Sequence, residues 1–288
     1  MPRSDLVSRE VISPTEQHIV VHGGGRSISS IVLLPDNYGS QAKYPAVIAV
    51  HNFGSDPKAF AGLIDAGRLR KAGIIVILPK AAGWLPEWQG PGIAITFARH
   101  GANGRPIDDI AGLTKTLAVT QELYKIDGTN ISIAGFSQGA TVALELARQL
   151  DLSRPASVRR VVAAAGSTVE CDPSTLSLTG TDIVHYEPGR NGPQILANFL
   201  TGEPGEAEFM PRIILAKGCE LHENKTADGV NTQTYNCPDG RLVIRLYEQN
   251  GEHAWPGQPS KYDSWLLGKG STSRVNFTDL MLSEIFGN

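Results

Sequence analysis

The strongest constraint on the fold is a short apolar run, Asn130-Ile131-Ser132-Ile133-Ala134, that enters Gly135-Phe136-Ser137-Gln138-Gly139 and leaves as an alanine-rich stretch over residues 139–150. Glycines on both sides of a serine let a strand reverse sharply into a helix and keep side chains off the neighbouring elements. Strand, turn and helix in that order imply a buried parallel sheet. Two further runs agree, Tyr44-Pro45-Ala46-Val47-Ile48-Ala49-Val50 and Gly73-Ile74-Ile75-Val76-Ile77-Leu78-Pro79, both continuously apolar as strands covered on both faces are. Helical patterns over 59–71, 107–124 and 277–286 alternate with them, and Asp108 and Asp109 stand in a first helical turn where the macrodipole favours acids. Residues 16–22 and 26–34 read as an antiparallel pair around His22-Gly23-Gly24-Gly25, and 159–165, 175–179 and 241–248 as further strands. The Gly-, Pro- and Trp-rich segment 80–105 reads as a long loop over the sheet. The expected class is α/β with a mostly parallel central sheet and helices on both faces. One domain over 1–288 is expected, with 1–15 extended or poorly ordered.

Charge narrows the partners. With 26 Lys+Arg against 29 Asp+Glu and no long basic run, neither nucleic acid nor a membrane surface is an expected partner. No stretch reaches the 18 or so apolar residues of a transmembrane helix, and Met1-Pro2-Arg3-Ser4-Asp5 lacks a signal-peptide core. The expectation is a cytosolic protein or one whose export signal has been removed. Three cysteines, Cys171, Cys219 and Cys237, allow three thiols or one pair with one left over. Asn130, Asn224 and Asn276 begin N-x-S/T sequons that matter only in a glycosylating host.

A serine hydroxyl needs a base in contact, and the base needs an orienting partner. Ser137 in a G-x-S-x-G turn would sit at a helix N-terminus, where partial positive charge favours an oxyanion. Among seven histidines, His253 follows a strand late in the chain inside Gly251-Glu252-His253-Ala254-Trp255-Pro256-Gly257. Asp182 ends the alternating run Thr175-Leu176-Ser177-Leu178-Thr179, with Glu187 and Glu220 as alternative acids. Ser, Asp, His is the chain order of an α/β-hydrolase triad. The backbone N–H of Gln138, with that of Phe53 or Asn52 in the loop after Val50, would form the oxyanion hole. His51 would brace that loop or line the substrate site.

Taken together, these segments resemble the secreted polyhydroxybutyrate depolymerase and feruloyl esterase group of α/β-hydrolases. Tyr44 to Gly54 is similar to that group's oxyanion strand and loop. Ile126-Asp127-Gly128-Thr129-Asn130-Ile131 is similar to its approach to the nucleophile, and Gly180-Thr181-Asp182-Ile183-Val184-His185-Tyr186 to its acid segment. Gly218-Cys219, Asn236-Cys237-Pro238-Asp239-Gly240 and the His-x-Trp-Pro-Gly element resemble its last third. The chain departs from the group at Asn52, Gln138 and Glu252. The resemblance implies Ser137 as nucleophile, Asp182 as acid, His253 as base, and Trp88 and Trp255 as walls of the cleft. It also implies a Cys219–Cys237 disulfide and export.

The expected activity is hydrolysis of a carboxylic ester, free or carried on a polymer (a polyester or a plant cell-wall polysaccharide), through an acyl-enzyme, with no metal or organic cofactor. A rate rising through mildly acid pH is expected, since a protonated histidine cannot act as base. A carbohydrate- or polymer-binding protein that keeps the scaffold, and a serine peptidase, are the alternatives.

Overall fold

In the structure, a computed structural model, residues 5–91, 93, 99–101, 104–153, 158–166, 181–190, 206–257 and 275–286 are described. The two continuously apolar runs become β4 (Tyr44–Val50) and β5 (Ile75–Pro79), side by side and parallel. The run before the serine is the end of β6 (Ile126–Phe136), parallel to β4 on its other side. Beyond it lie β7 (Val158–Ala164), β8 (Asp182–Arg190) and β11 (Leu242–Glu252), each parallel to the last. These six strands form the centre of an eleven-stranded sheet among the described residues. Antiparallel strands flank them: β1 (Leu6–Ser13), β2 (Glu16–Gly23) and β3 (Arg26–Leu33) on one side, β9 (Glu220–Ala227) and β10 (Val230–Asn236) on the other. The first fifteen residues thus include an extended strand paired with β2.

Helices cover both faces. The pattern over 59–71 is two short helices, α1 (Pro57–Leu63) and α2 (Ala66–Lys71), separated at Asp65, which is left-handed (φ 47) and accepts from Arg68 N. With α6 (Phe277–Phe286) they bury the face lined by Val47, Phe136, Val184 and Tyr186. The opposite face, lined by Ile48, Ile133, Ala163 and Ile183, packs α3 (Asp109–Leu123), α4 (Gln138–Ser153) and α5 (Glu206–Ala216). Asp108 caps α3 through Ala111 N at 3.0 Å. Asp109 is fully buried, where its carboxylate accepts from Arg26 Nε at 2.5 Å and Gln89 N at 2.9 Å. It stands in the first turn of α3 as expected and also ties the 80–89 segment to the helix.

Strand order reverses at β4, which has β5 on one side and β6 on the other. Ligands in open α/β sheets bind at such a reversal, beyond the carboxyl ends of the strands. The loop 51–54 after β4 and the turn at Ser137 after β6 both project there. At the far flank, Cys219 and Cys237 extend the β9–β10 ladder beyond Glu220↔Asn236 and are disulfide-bonded, with Cα atoms 4.0 Å apart. The strand expected over 175–179 and the third cysteine, Cys171, lie outside the described residues. No helix among the described residues is long and apolar enough to cross a membrane.

Candidate active site

Ser137 sits between β6 and α4 with φ 55, a left-handed conformation that a non-glycine residue adopts at a cost of order 1–3 kcal/mol. Its N–H donates to Ala164 O across the sheet at 2.8 Å, and its carbonyl accepts from Ala140 N at 2.8 Å. A Cβ on Gly135 would meet Gly139 O at 2.0 Å, and one on Gly139 would meet Val50 O at 2.2 Å. The two glycines are what permit the turn to close against β4. Ala165, at the end of the neighbouring strand, is also left-handed (φ 52), so backbone strain concentrates at this edge of the sheet. Half-buried Ser137 stands at the N-terminal end of sixteen-residue α4, and Gln138 is the first residue of that helix.

The structure brings His253 to the same place. Its ring lies 5.0 Å, centroid to centroid, from that of Phe136, the residue before the serine. Burial pushes its pKa down to about 4, so the ring is neutral and able to accept a proton at neutral pH. The pH window expected from an ordinary histidine therefore moves to lower values.

Asp182 is not brought to Ser137. It begins β8 instead of ending a strand, and the parallel register aligns Ser132, Arg160 and Asp182 on one level and Phe136, Ala164 and Tyr186 on another. Four residues at about 3.3 Å each separate the levels by about 13 Å. Asp182 accepts from Arg160 Nη2 at 2.7 Å and from Leu242 N at 3.0 Å, so it joins the starts of β7, β8 and β11 at the opposite end of the sheet. Glu220 begins β9, exposed, at that same far end. Of the three carboxylates read from the sequence, Glu187 alone lies at the serine's end. It is buried, its Oε2 accepts from Arg245 Nε (2.9 Å) and Nη2 (2.6 Å), and His185 and Arg245 lower its pKa against the opposing effect of burial.

Two expected cleft walls belong to the interior. Trp255 is fully buried against Phe60 and Phe277, at 5.8 and 5.2 Å between ring centroids. Trp88 is fully buried too, its indole N–H donating to His51 O at 2.8 Å. His51 does not line the site: it is fully buried, Nδ1 donates to Asn52 O (2.8 Å), and Nε2 accepts from Ala81 N (3.1 Å). That pairing needs a neutral ring, and burial lowers its pKa to about 4. In the loop after β4, the Gly54 N–H donates to Pro86 O at 2.8 Å, while Asn52 and Phe53 stand between it and His51.

Sequence reasoning missed His185 and the Gln138 side chain. Buried His185 donates from Nε2 to Gly166 O (2.8 Å), and Gly166 packs against Ser137 so closely that a Cβ there would meet Ser137 O at 2.3 Å. Gln138 accepts from Trp88 N at 3.0 Å and donates to Trp88 O at 3.4 Å, clamping the 80–89 loop onto the turn. An amide side chain beside the nucleophile was the visible signal for the clamp; its backbone partner was not visible.

No protein-family model matches the chain, and no curated protein sequence matches it. Among solved structures it is similar to an acetyl xylan esterase from Aspergillus awamori, with TM-score 0.56 and 14% identity over 76% of this chain and 87% of that one. It is also similar to EstE1, a thermostable carboxylesterase cloned from a metagenomic library, with TM-score 0.51 and 12% identity over 85% of this chain and 82% of that one. The chain has the α/β-hydrolase fold.

Proposed function

We propose that this protein is a serine esterase. Ser137 attacks the ester carbonyl, His253 accepts its proton and passes it to the leaving alcohol, and the same imidazole then activates the water that releases the acid. The backbone N–H of Gln138, together with that of Phe53 or Asn52, faces the developing oxyanion from the α4 N-terminus and the loop after β4. The observation that carries the reading is the strained serine at a strand-to-helix turn, with a neutral histidine ring 5.0 Å from the residue before it. Asp182 has no part in this mechanism, because its carboxylate is held at the other end of the sheet.

The substrate class is a carboxylic ester. The similarity of the fold to two esterases supports it, and the resemblance in sequence to polyhydroxybutyrate depolymerases and feruloyl esterases points to esters carried on a polymer. The Cys219–Cys237 disulfide supports an oxidising compartment and export. Hydrolysis of p-nitrophenyl butyrate by wild type and by Ser137→Ala tests the proposal. Wild-type turnover, with a loss of about a thousandfold or more in the variant, is the expected result. Equal rates in the two proteins, or failure of a fluorophosphonate to label wild type, would overturn it.

A further inference from the structure

Trp84 is the most exposed large apolar side chain among the described residues, at 92% of its full accessibility. A mobile loop could bury such a ring at little cost, but this loop is fixed. Ala82 pairs with Glu87 across its base, and the Arg99 guanidinium donates to Ala82 O and Leu85 O from inside it. Gly83 is left-handed (φ 99) and lies against that guanidinium, where a Cβ would stand 2.3 Å from Arg99 Nη2, so the turn that throws residue 84 outward requires glycine. Pro86 O is held by Gly54 N and Trp88 by the Gln138 side chain, which fixes the loop to both halves of the candidate active site. Four residues of chain span at most about 14 Å, so the backbone of Trp84 stands within that reach of the backbone of Trp88, which the Gln138 side chain clamps.

We propose that Trp84 is a stacking platform for a sugar ring of a polysaccharide that carries the scissile ester. This rests on the esterase reading and names its substrate class. An indole face carries negative charge density that attracts the C–H face of a pyranose, and a rigid ring loses little entropy on stacking. The size of the patch selects this ligand. Adsorption to a polyester surface, a membrane or another protein uses a contiguous apolar area of several hundred Å². Among the described residues the loop offers a single exposed ring, and the other exposed large apolar residues described belong to β1, α4, α5, β9 and β11.

Calorimetric titration with xylohexaose, which carries no ester, tests the platform independently of catalysis. Ser137→Ala is expected to bind it, with Kd raised about tenfold when Trp84→Ala is added and largely restored with Trp84→Phe. On acetylated xylohexaose, Trp84→Ala should raise KM about tenfold with kcat within about twofold. No detectable xylohexaose binding, a Kd that ignores Trp84, or Trp84-dependent binding to polyhydroxybutyrate film in place of xylohexaose would each overturn the proposal. Ester turnover with Trp84-independent binding removes the platform and leaves the esterase. Trp84-dependent binding without any ester turnover keeps the platform and removes the esterase.

Discussion

Asp182→Asn separates the structural reading from the sequence pattern most directly. In the fold Asp182 is part of a buried ion pair: it is 8% exposed, Arg160 is 6% exposed, and the carboxylate accepts from both Arg160 Nη2 and Leu242 N. Asparagine can still accept from Leu242 N, but it leaves the guanidinium without its counter-charge in the interior. Breaking a buried pair in this way costs about 3–5 kcal/mol. For a chain of this length that lowers the melting temperature by roughly 6–10 °C. In urea the midpoint should fall with little change in slope. The activity of the folded fraction should hardly move. Ser137 lies one residue beyond Phe136, so the offset along the sheet between Asp182 and the serine is about 16 Å. Specific activity toward p-nitrophenyl butyrate at 25 °C, on protein shown to be folded by near-UV circular dichroism, should remain within about threefold of wild type. Loss of a triad acid costs about 10⁴ in kcat. A folded Asp182→Asn that loses a thousandfold or more, with an unchanged urea midpoint, would refute the argument from register.

The pH dependence of kcat/KM should show a midpoint near 4, because burial holds His253 neutral well below the usual histidine range; a midpoint at 6.5 or above would show that the free enzyme keeps this ring solvated. His51 should make the fold acid-sensitive in the same window. Its folded pKa of about 4 lies below the ordinary histidine value of 6.5, so the unfolded chain takes up the proton first and stability falls as pH drops from 6.5 to 4, by about 3 kcal/mol in total. Urea midpoints of wild type and His51→Gln at pH 6.5 and 4.5 measure this, and equal pH slopes in the two proteins would rule out the linkage.

What the sequence disclosed, and what it hid, follows from where each residue finds its partners. β4, β5 and the turn at Ser137 were legible because their constraint is local: continuous apolar runs, and glycines where backbones touch. β8 was not, since His185 and Glu187 look unlike a buried strand until Gly166 O and Arg245 are beside them. The β9 strand Glu-Leu-His-Glu-Asn-Lys-Thr-Ala is exposed throughout and shows no apolar alternation to read. Asp182 followed a strand-like run and was assigned to a strand's end, yet only the pairing of β7 with β8 shows that it opens one. The tryptophans failed for the same reason. Trp84 and Trp88 stand in one Gly- and Pro-rich segment, and an acceptor 37 residues earlier in the chain, His51 O, decides which of them is interior.

The disulfide at the foot of the β9–β10 hairpin bears on how the far margin of the sheet is kept in place. β9 contributes no buried side chain, and β10 begins with one, Val230, so little apolar packing retains the hairpin at the sheet's margin. Closing a loop of 18 residues covalently stabilises it by about 3 kcal/mol in the chain-entropy view. If the hairpin peels away, β11 becomes the outermost strand, with an open ladder edge of the kind that recruits other chains into aggregates. That strand runs directly to His253. The crosslink joins β9 to β10 and so keeps the hairpin that covers β11 in one piece, and the charged residues Glu220, Glu223 and Lys225 along β9 present solvent with an edge that discourages further pairing.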